Sequence, residues 1–392
     1  MISNHKKTES PPLFTPTRIA ALRRAFFKEF SRWQRYSYSC HKIFIRRGNT
    51  MSYFFLKESD LKDFVRKLIS SAPVIAPVAR KNKFVFADLE SPDELRLDYD
   101  ITILPPKKAF FPPNQTLLSF KENKATSAIR PREQILFGVH TYDVKAIDML
   151  DLLFAENNAD NNYLANRKAT TIVAMTPQAV SGRAFWESVG KTVQPNGHDA
   201  LMTKIREGYV FEPRTPQGTR LTKSGIFSQA SSGQLDEASK CQSEIAAKCP
   251  EKLSHSTREI SDKMRASFNN EKIWHTASLD CFSCGTCNIV CPTCYCFDVQ
   301  DQWNLDQVSG ARYRTWDACL TEDFAKISLG PAGAENFREE RAERFRHRMM
   351  RKATYLNSRL GGPACVGCGR CSEGCVPDIA DPVKIINNVM ES

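Results

Sequence analysis

Residues 281–296 read CFSCGTCNIVCPTCYC, six cysteines in sixteen positions. Cys281, Cys284, Cys287 and Cys291 follow the spacing C-x2-C-x2-C-x3-C, with Pro292 directly after. The same spacing returns at Cys365, Cys368, Cys371 and Cys375 in CVGCGRCSEGC (365–375), with Pro377 one place later. This is the iron–sulfur run, present twice. Thiolates at every third position let the chain wrap one face of a cubane while backbone N–H groups point at its sulfurs. Gly285, Gly367, Gly369 and Gly374 permit that tight path. Structural zinc instead takes two cysteine pairs separated by a longer loop.

In two-cluster ferredoxins the fourth cysteine of each run ligates the other cluster. The same exchange here groups Cys281, Cys284, Cys287 and Cys375 around one [4Fe–4S] cluster, and Cys365, Cys368, Cys371 and Cys291 around a second. The two runs must then be neighbours in space, and residues 292–364 an excursion that returns. Cys294, Cys296 and Cys319 remain over. They read either as buried thiols beside the clusters or as part of a third centre or redox pair, and three thiolates are one short of a cluster.

The rest of the 392-residue chain sets the context. Its length suits two domains. No run approaches the roughly 18 apolar residues of a membrane span, and no secretory h-region is present. The reading is a cytoplasmic protein, in which fourteen cysteines point to metal or redox chemistry rather than disulfides. The formal net charge is +11, yet residues 1–50 hold eleven Lys and Arg against Glu9 and Glu29. That basic tail carries most of the excess, so the body is close to neutral and nucleic acid is not the expected partner. The tail itself reads as a basic arm, as a transit segment, or as translated leader upstream of a start at Met51. Cys40, Cys241 and Cys249 have no partner at ligand spacing.

Residues 51–235 read as an α/β domain. A helix begins near Ser59 and Asp60, with Leu61, Phe64, Val65, Leu68 and Ile69 periodic. VIAPVAR (74–80) and KFVFADL (83–89) suit strands. PPKKAFFPPNQTLLSF (105–120) suits an extended or turn-rich crossing. ILFGVH (135–140), a helix over 144–154 capped by Asp143, and TTIVAMT (170–176) form a βαβ unit with a parallel strand pair. The turn at 140–143 lies where such folds bind ligands, making His140 and Tyr142 candidate contacts beside the alternative of an ordinary turn. Residues 236–270 read as a polar linker, or surface helices around one. Residues 271–392 read as a mainly α-helical two-[4Fe–4S] ferredoxin-like domain. Within it, 335–360 suits one long helix with Phe337, Phe345, Met349 and Tyr355 as its buried stripe. Its Arg338, Arg341, Arg344, Arg346, Arg348, Arg351 and Lys352 form either a solvated face or a positive field beside a cluster. There is no G-x-G-x-x-G, Walker loop or nucleophile elbow.

CFSCGTCNIVCPTCYCFDVQD, YRTWDACLTEDF, ENFREERAERFRHR and ACVGCGRC, with PPKKAFFPPNQTLLSF and ILFGVHTYDVKAIDMLDLLF, carry a family resemblance. They resemble the iron–sulfur subunits of anaerobic sulfite reductases and of cytoplasmic NiFe (sulf)hydrogenases, in the latter the beta subunit. The resemblance spans about residues 51–392. It implies a non-catalytic electron-transfer subunit whose eight run cysteines are cluster ligands. Its implied partners are a flavin subunit handling NAD(P)H and a catalytic subunit of hydrogenase or sulfite reductase type. Two departures stand out. The family's G-V-R-P-C-D reads GVHTYD here, putting Tyr142 in a cysteine's place, and TPQAVSGRAFW replaces a segment that often carries cysteine. Two other functions stay open: a reductase whose own α/β domain binds substrate, and a nucleic-acid-binding cluster protein.

Overall fold

The computed structural model describes residues 52–190 and 197–392. The expectations for residues 1–50, including Cys40, lie outside the described residues. A mixed eight-stranded sheet organises the first half. Its strands are β1 (Phe54–Lys57), β2 (Val74–Arg80), β3 (Lys83–Asp88), β6 (Gln134–His140), β7 (Thr170–Met175), β8 (Ala200–Ile205), β9 (Gly208–Pro213) and β10 (Ser228–Gln229). A second sheet takes β4 (Asn114–Lys121), β5 (Lys124–Ser127), β11 (Phe297–Trp303) and β12 (Ser309–Trp316). The large sheet runs β10-β1-β9-β8-β7-β6-β2-β3. β2, β6, β7 and β8 pair in parallel at its centre, and antiparallel strands close both edges.

Alternation along the central strands divides the core. Phe137, Val173, Met175 and Met202 face the helix Leu61–Ser71, which buries Phe64, Val65 and Leu68 against them. Leu136, Val139, Ile172 and Ala174 face the helix Thr141–Ala155 through Val144, Ile147, Leu150 and Phe154. Burying one such aliphatic side chain contributes about 1.5–3 kcal/mol, so the period-2 and period-3.6 patterns specify this layering together. The anticipated βαβ unit is therefore present, as β6, the Thr141–Ala155 helix and β7. Asp143 does not cap that helix: His140 is its N-cap residue and no side-chain cap bond forms.

The second sheet departs from expectation. Residues 297–316 form a hairpin, and β12 pairs antiparallel with β4 from the first half of the chain. The mainly helical description of 271–392 thus omits a sheet that joins the two halves. The hairpin is hard to read because β11 is FDVQDQW, largely exposed, with polar residues on both faces. Residues 236–270 carry the capped helices Ser232–Ala247 and Thr257–Ala266. The long helix expected at 335–360 is broken into Arg341–Met350, a π turn at Arg351–Tyr355 and Asn357–Leu360. Phe345 and Met349 are buried, whereas Phe337 and Tyr355 are exposed.

Candidate metal centres

The two cysteine runs fold the same way. In the first, Ser283 (φ 53°) and Gly285 (φ 73°) take the left-handed conformation before the short helix Thr286–Ile289. In the second, Gly367 (φ 64°) and Gly369 (φ 83°) do so before Arg370–Glu373. Ser283 N–H donates to Cys281 Sγ at 3.4 Å, and Gly367 N–H donates to Cys365 Sγ at 3.4 Å. The following turns match as well: Cys291 N–H bonds Asn288 O, and Cys375 N–H bonds Ser372 O. Backbone N–H groups aimed at sulfur suit a thiolate-ligated cluster. Glycine is required at 367 on two counts, since a Cβ there would also lie 2.5 Å from the Trp186 backbone nitrogen.

The runs are interleaved. Cys291 of the first lines a cavity with Cys365, Cys368 and Cys371 of the second, closed by Phe185, Pro292, Arg348 and Lys352. Cys375 of the second packs in the apolar cluster that holds Cys281 and Cys287. Cys284 is exposed, beside a surface cleft lined by Cys281, Phe282, Arg341 and Arg344. Burial pushes the Cys287 thiol up to about 12, against the pull of Arg348. Burial likewise pushes Cys365 up to about 12 against Lys352. Cys291 goes the other way: a hydrogen bond from Cys294 and the charge of Lys352 hold it well below the usual thiol range. No three His, Cys, Asp or Glu among the described residues converge as a single-ion site. Cys291, Cys365, Cys368 and Cys371 instead line one cavity, which suits a multi-atom cluster. The residues present fit a [4Fe–4S] group on chemistry too: thiolate donors, backbone N–H at sulfur, and buried cations facing the sulfurs.

Buried charge supports the second run. Arg370, between Cys368 and Cys371, donates bidentately to Asp143 at 2.7 and 2.7 Å and to Thr102 O and Oγ1 at 2.8 and 3.0 Å. Both partners are at most 2% exposed. Burial works against the guanidinium's charge, but Asp143 and the Cys368 sulfur outweigh it and hold its pKa well above normal. The carboxyl end of β6 is therefore packed, not open. His140 stacks on Tyr99 at 3.8 Å and its Nδ1 lies 2.8 Å from Tyr142 Oη, all buried. The substituted segment also docks here: Phe185 N–H donates to Gly367 O at 2.8 Å, and Arg183 grips Asp378 at 2.9 Å. Cys249 packs in the same apolar cluster as Val366 and Cys368.

Sequence reading missed Asp143, Lys107 and Arg370 as buried partners, because each looked like an ordinary cap or surface charge. The i,i+4 row Arg344, Arg348, Lys352 was the available signal, and all three are buried. Cys294 and Cys319 are buried around Asn288, whose Nδ2 lies 3.1 Å from Cys319 Sγ and 3.6 Å from Cys294 Sγ.

Residues 280–379 match the family model of the 4Fe-4S dicluster domain. The chain is 31% identical over 343 residues to sulfhydrogenase 2 subunit beta of Pyrococcus furiosus, covering 87% of this chain and 99% of that protein. The chain belongs to the sulfhydrogenase beta-subunit family. It is an iron–sulfur electron-transfer subunit of the hydrogenase beta type, with its [4Fe–4S] region in the C-terminal part. No solved structure matches it. Among the described residues, no helix is long and apolar enough to cross a membrane.

Proposed function

We propose that the chain holds two [4Fe–4S] clusters and relays electrons between a flavin subunit handling NAD(P)H and a catalytic subunit of hydrogenase or sulfite reductase type, in the cytoplasm. Cys281, Cys284, Cys287 and Cys375 hold one; Cys365, Cys368, Cys371 and Cys291 hold the other. The observation that carries this reading is the duplicated run with Cys291 placed among the cysteines of its counterpart. When bound, such groups supply reversible one-electron chemistry. The chain's own residues position the thiolates, keep water from the second site and supply fixed charge. Burial of His140, Tyr142, Asp143 and Arg370 leaves little room for substrate at the carboxyl end of β6, which favours a relay over a reductase. Anaerobic purification of the tagged chain from its host tests the reading. A co-purifying flavoprotein that reduces the chain with NAD(P)H is expected. Substrate turnover by the isolated chain with an artificial electron donor would overturn it.

A further inference from the structure

Charge is distributed unevenly between the two cysteine sites. At the second, Lys352 sets its Nζ 3.2 Å from Cys291 Sγ and 2.7 Å from Thr293 Oγ1. Lys107 reaches in from the α/β half and donates to the carbonyls of Cys291 and Cys294 at 2.9 and 2.5 Å. Both lysines are buried, and neither is among the ion pairs found for the described residues. Arg370 is offset by Asp143. The first site has a different environment. Arg341 donates to Cys281 O at 3.1 Å and Arg344 Nη2 to Ser283 Oγ at 3.3 Å. Their cleft opens to solvent and is also lined by Glu322, Glu339 and Glu340.

A thiolate-ligated cluster gains one more negative charge on reduction, and net charge and solvent exposure set its potential. A fixed cation stabilises that charge most where water does not screen it. Burial alone would disfavour the added charge at the second site. Two cations in contact with the cysteine residues and without a carboxylate reverse that balance. At the first site Arg341 is part-exposed, and the buried Arg344 donates to Ser283 Oγ and to the carbonyls of Arg338 and Glu339 rather than to a cysteine, in a cleft lined by glutamates.

We propose that Lys352 and Lys107 make the second cysteine site the higher-potential one, so that an electron arriving at the solvent-open first site comes to rest at the buried second site. This rests on the two-cluster reading above. Arg348, buried and felt by both Cys287 and Cys371, biases both sites together.

EPR-monitored redox titration of the anaerobic holoprotein tests the order. Cys284→Ser changes a ligand atom of the first site only and so labels its signal. The labelled signal is expected to be the lower-potential one. Lys352→Met is expected to lower the midpoint of the other signal by at least tenfold in the reduced-to-oxidised ratio, about 59 mV for one electron. Lys352→Arg is expected to restore most of it. Lys107→Met, which removes contacts to two carbonyls and to the Trp316 ring face but none to a sulfur, should move the same midpoint in the same direction and covers loss of iron in the Lys352 variant. Unmoved midpoints in iron-replete variants, or the Cys284→Ser label on the higher-potential signal, would overturn the inference. Wild-type protein lacking two clusters by iron and sulfide assay would instead sink the reading beneath it.

Discussion

Replacing Asp143 with alanine strips the carboxylate from a guanidinium that has almost no access to water. Arg370 is held by Asp143 through two bonds of 2.7 Å, and the pair is 2% and 0% exposed. Removing one partner of a buried pair costs about 3–5 kcal/mol, because the other charge is left uncompensated. Thr102 would still accept two bonds, from Nε and Nη2, which places Asp143→Ala toward the lower end of that range. Against a domain stability of about 5–15 kcal/mol the loss is large. The pair also ties the second cysteine run to the Thr141–Ala155 helix, so iron at that run should become labile. Urea unfolding of the anaerobic holoprotein, followed by tryptophan fluorescence, reads the stability; chelator-accessible iron reads the run. The double variant Asp143→Ala/Arg370→Met removes the stranded charge, and should be more stable than Asp143→Ala alone. A single variant within about 1 kcal/mol of wild type, or a double variant whose loss equals the two single losses added, would refute the argument.

Gly367→Ala is expected to disrupt the second run, since its φ of 64° and a Cβ 2.5 Å from the Trp186 backbone nitrogen leave no relaxed conformation. Gly362→Ala, with nothing within 4 Å of the added Cβ, should fall within about 0.5 kcal/mol of wild type; equal iron retention in both variants would contradict this. Phe345→Ala should cost about 3–5 kcal/mol, as a fully buried ring in the core beneath the first run. A change below about 1 kcal/mol in the same urea assay would mean that core is looser than described.

The layering of the α/β half was legible because its signals are local and agree. The apolar, β-branched runs VIAPVAR and TTIVAMT require strands buried on both faces, and the helical spacing from Val144 to Phe154 requires one buried helix face. The cysteine spacing was equally legible, since its chemistry depends on short separations. What escaped depends on long-range pairing. The hairpin Phe297–Trp316 buries little of its own surface and is completed by β4, far away in sequence. Asp143 looked like a helix cap and instead meets Arg370, 227 residues later. Lys107 sat in a proline-rich crossing and reaches Cys291, 184 residues on. A single helix over 335–360 matched the composition, but the π turn at Arg351–Tyr355 interrupts it, and the Lys352 within that turn is buried against Cys291.

Iron and acid-labile sulfide analysis of anaerobically purified Cys375→Ser, beside wild type and with EPR of the reduced proteins, tests the central claim most directly. The account predicts about eight iron and eight sulfide per wild-type chain. In Cys375→Ser it predicts damage to the signal that Cys284→Ser also alters. Damage confined to the other signal would contradict the exchange of ligands between the runs, and zinc in place of iron would contradict the clusters altogether.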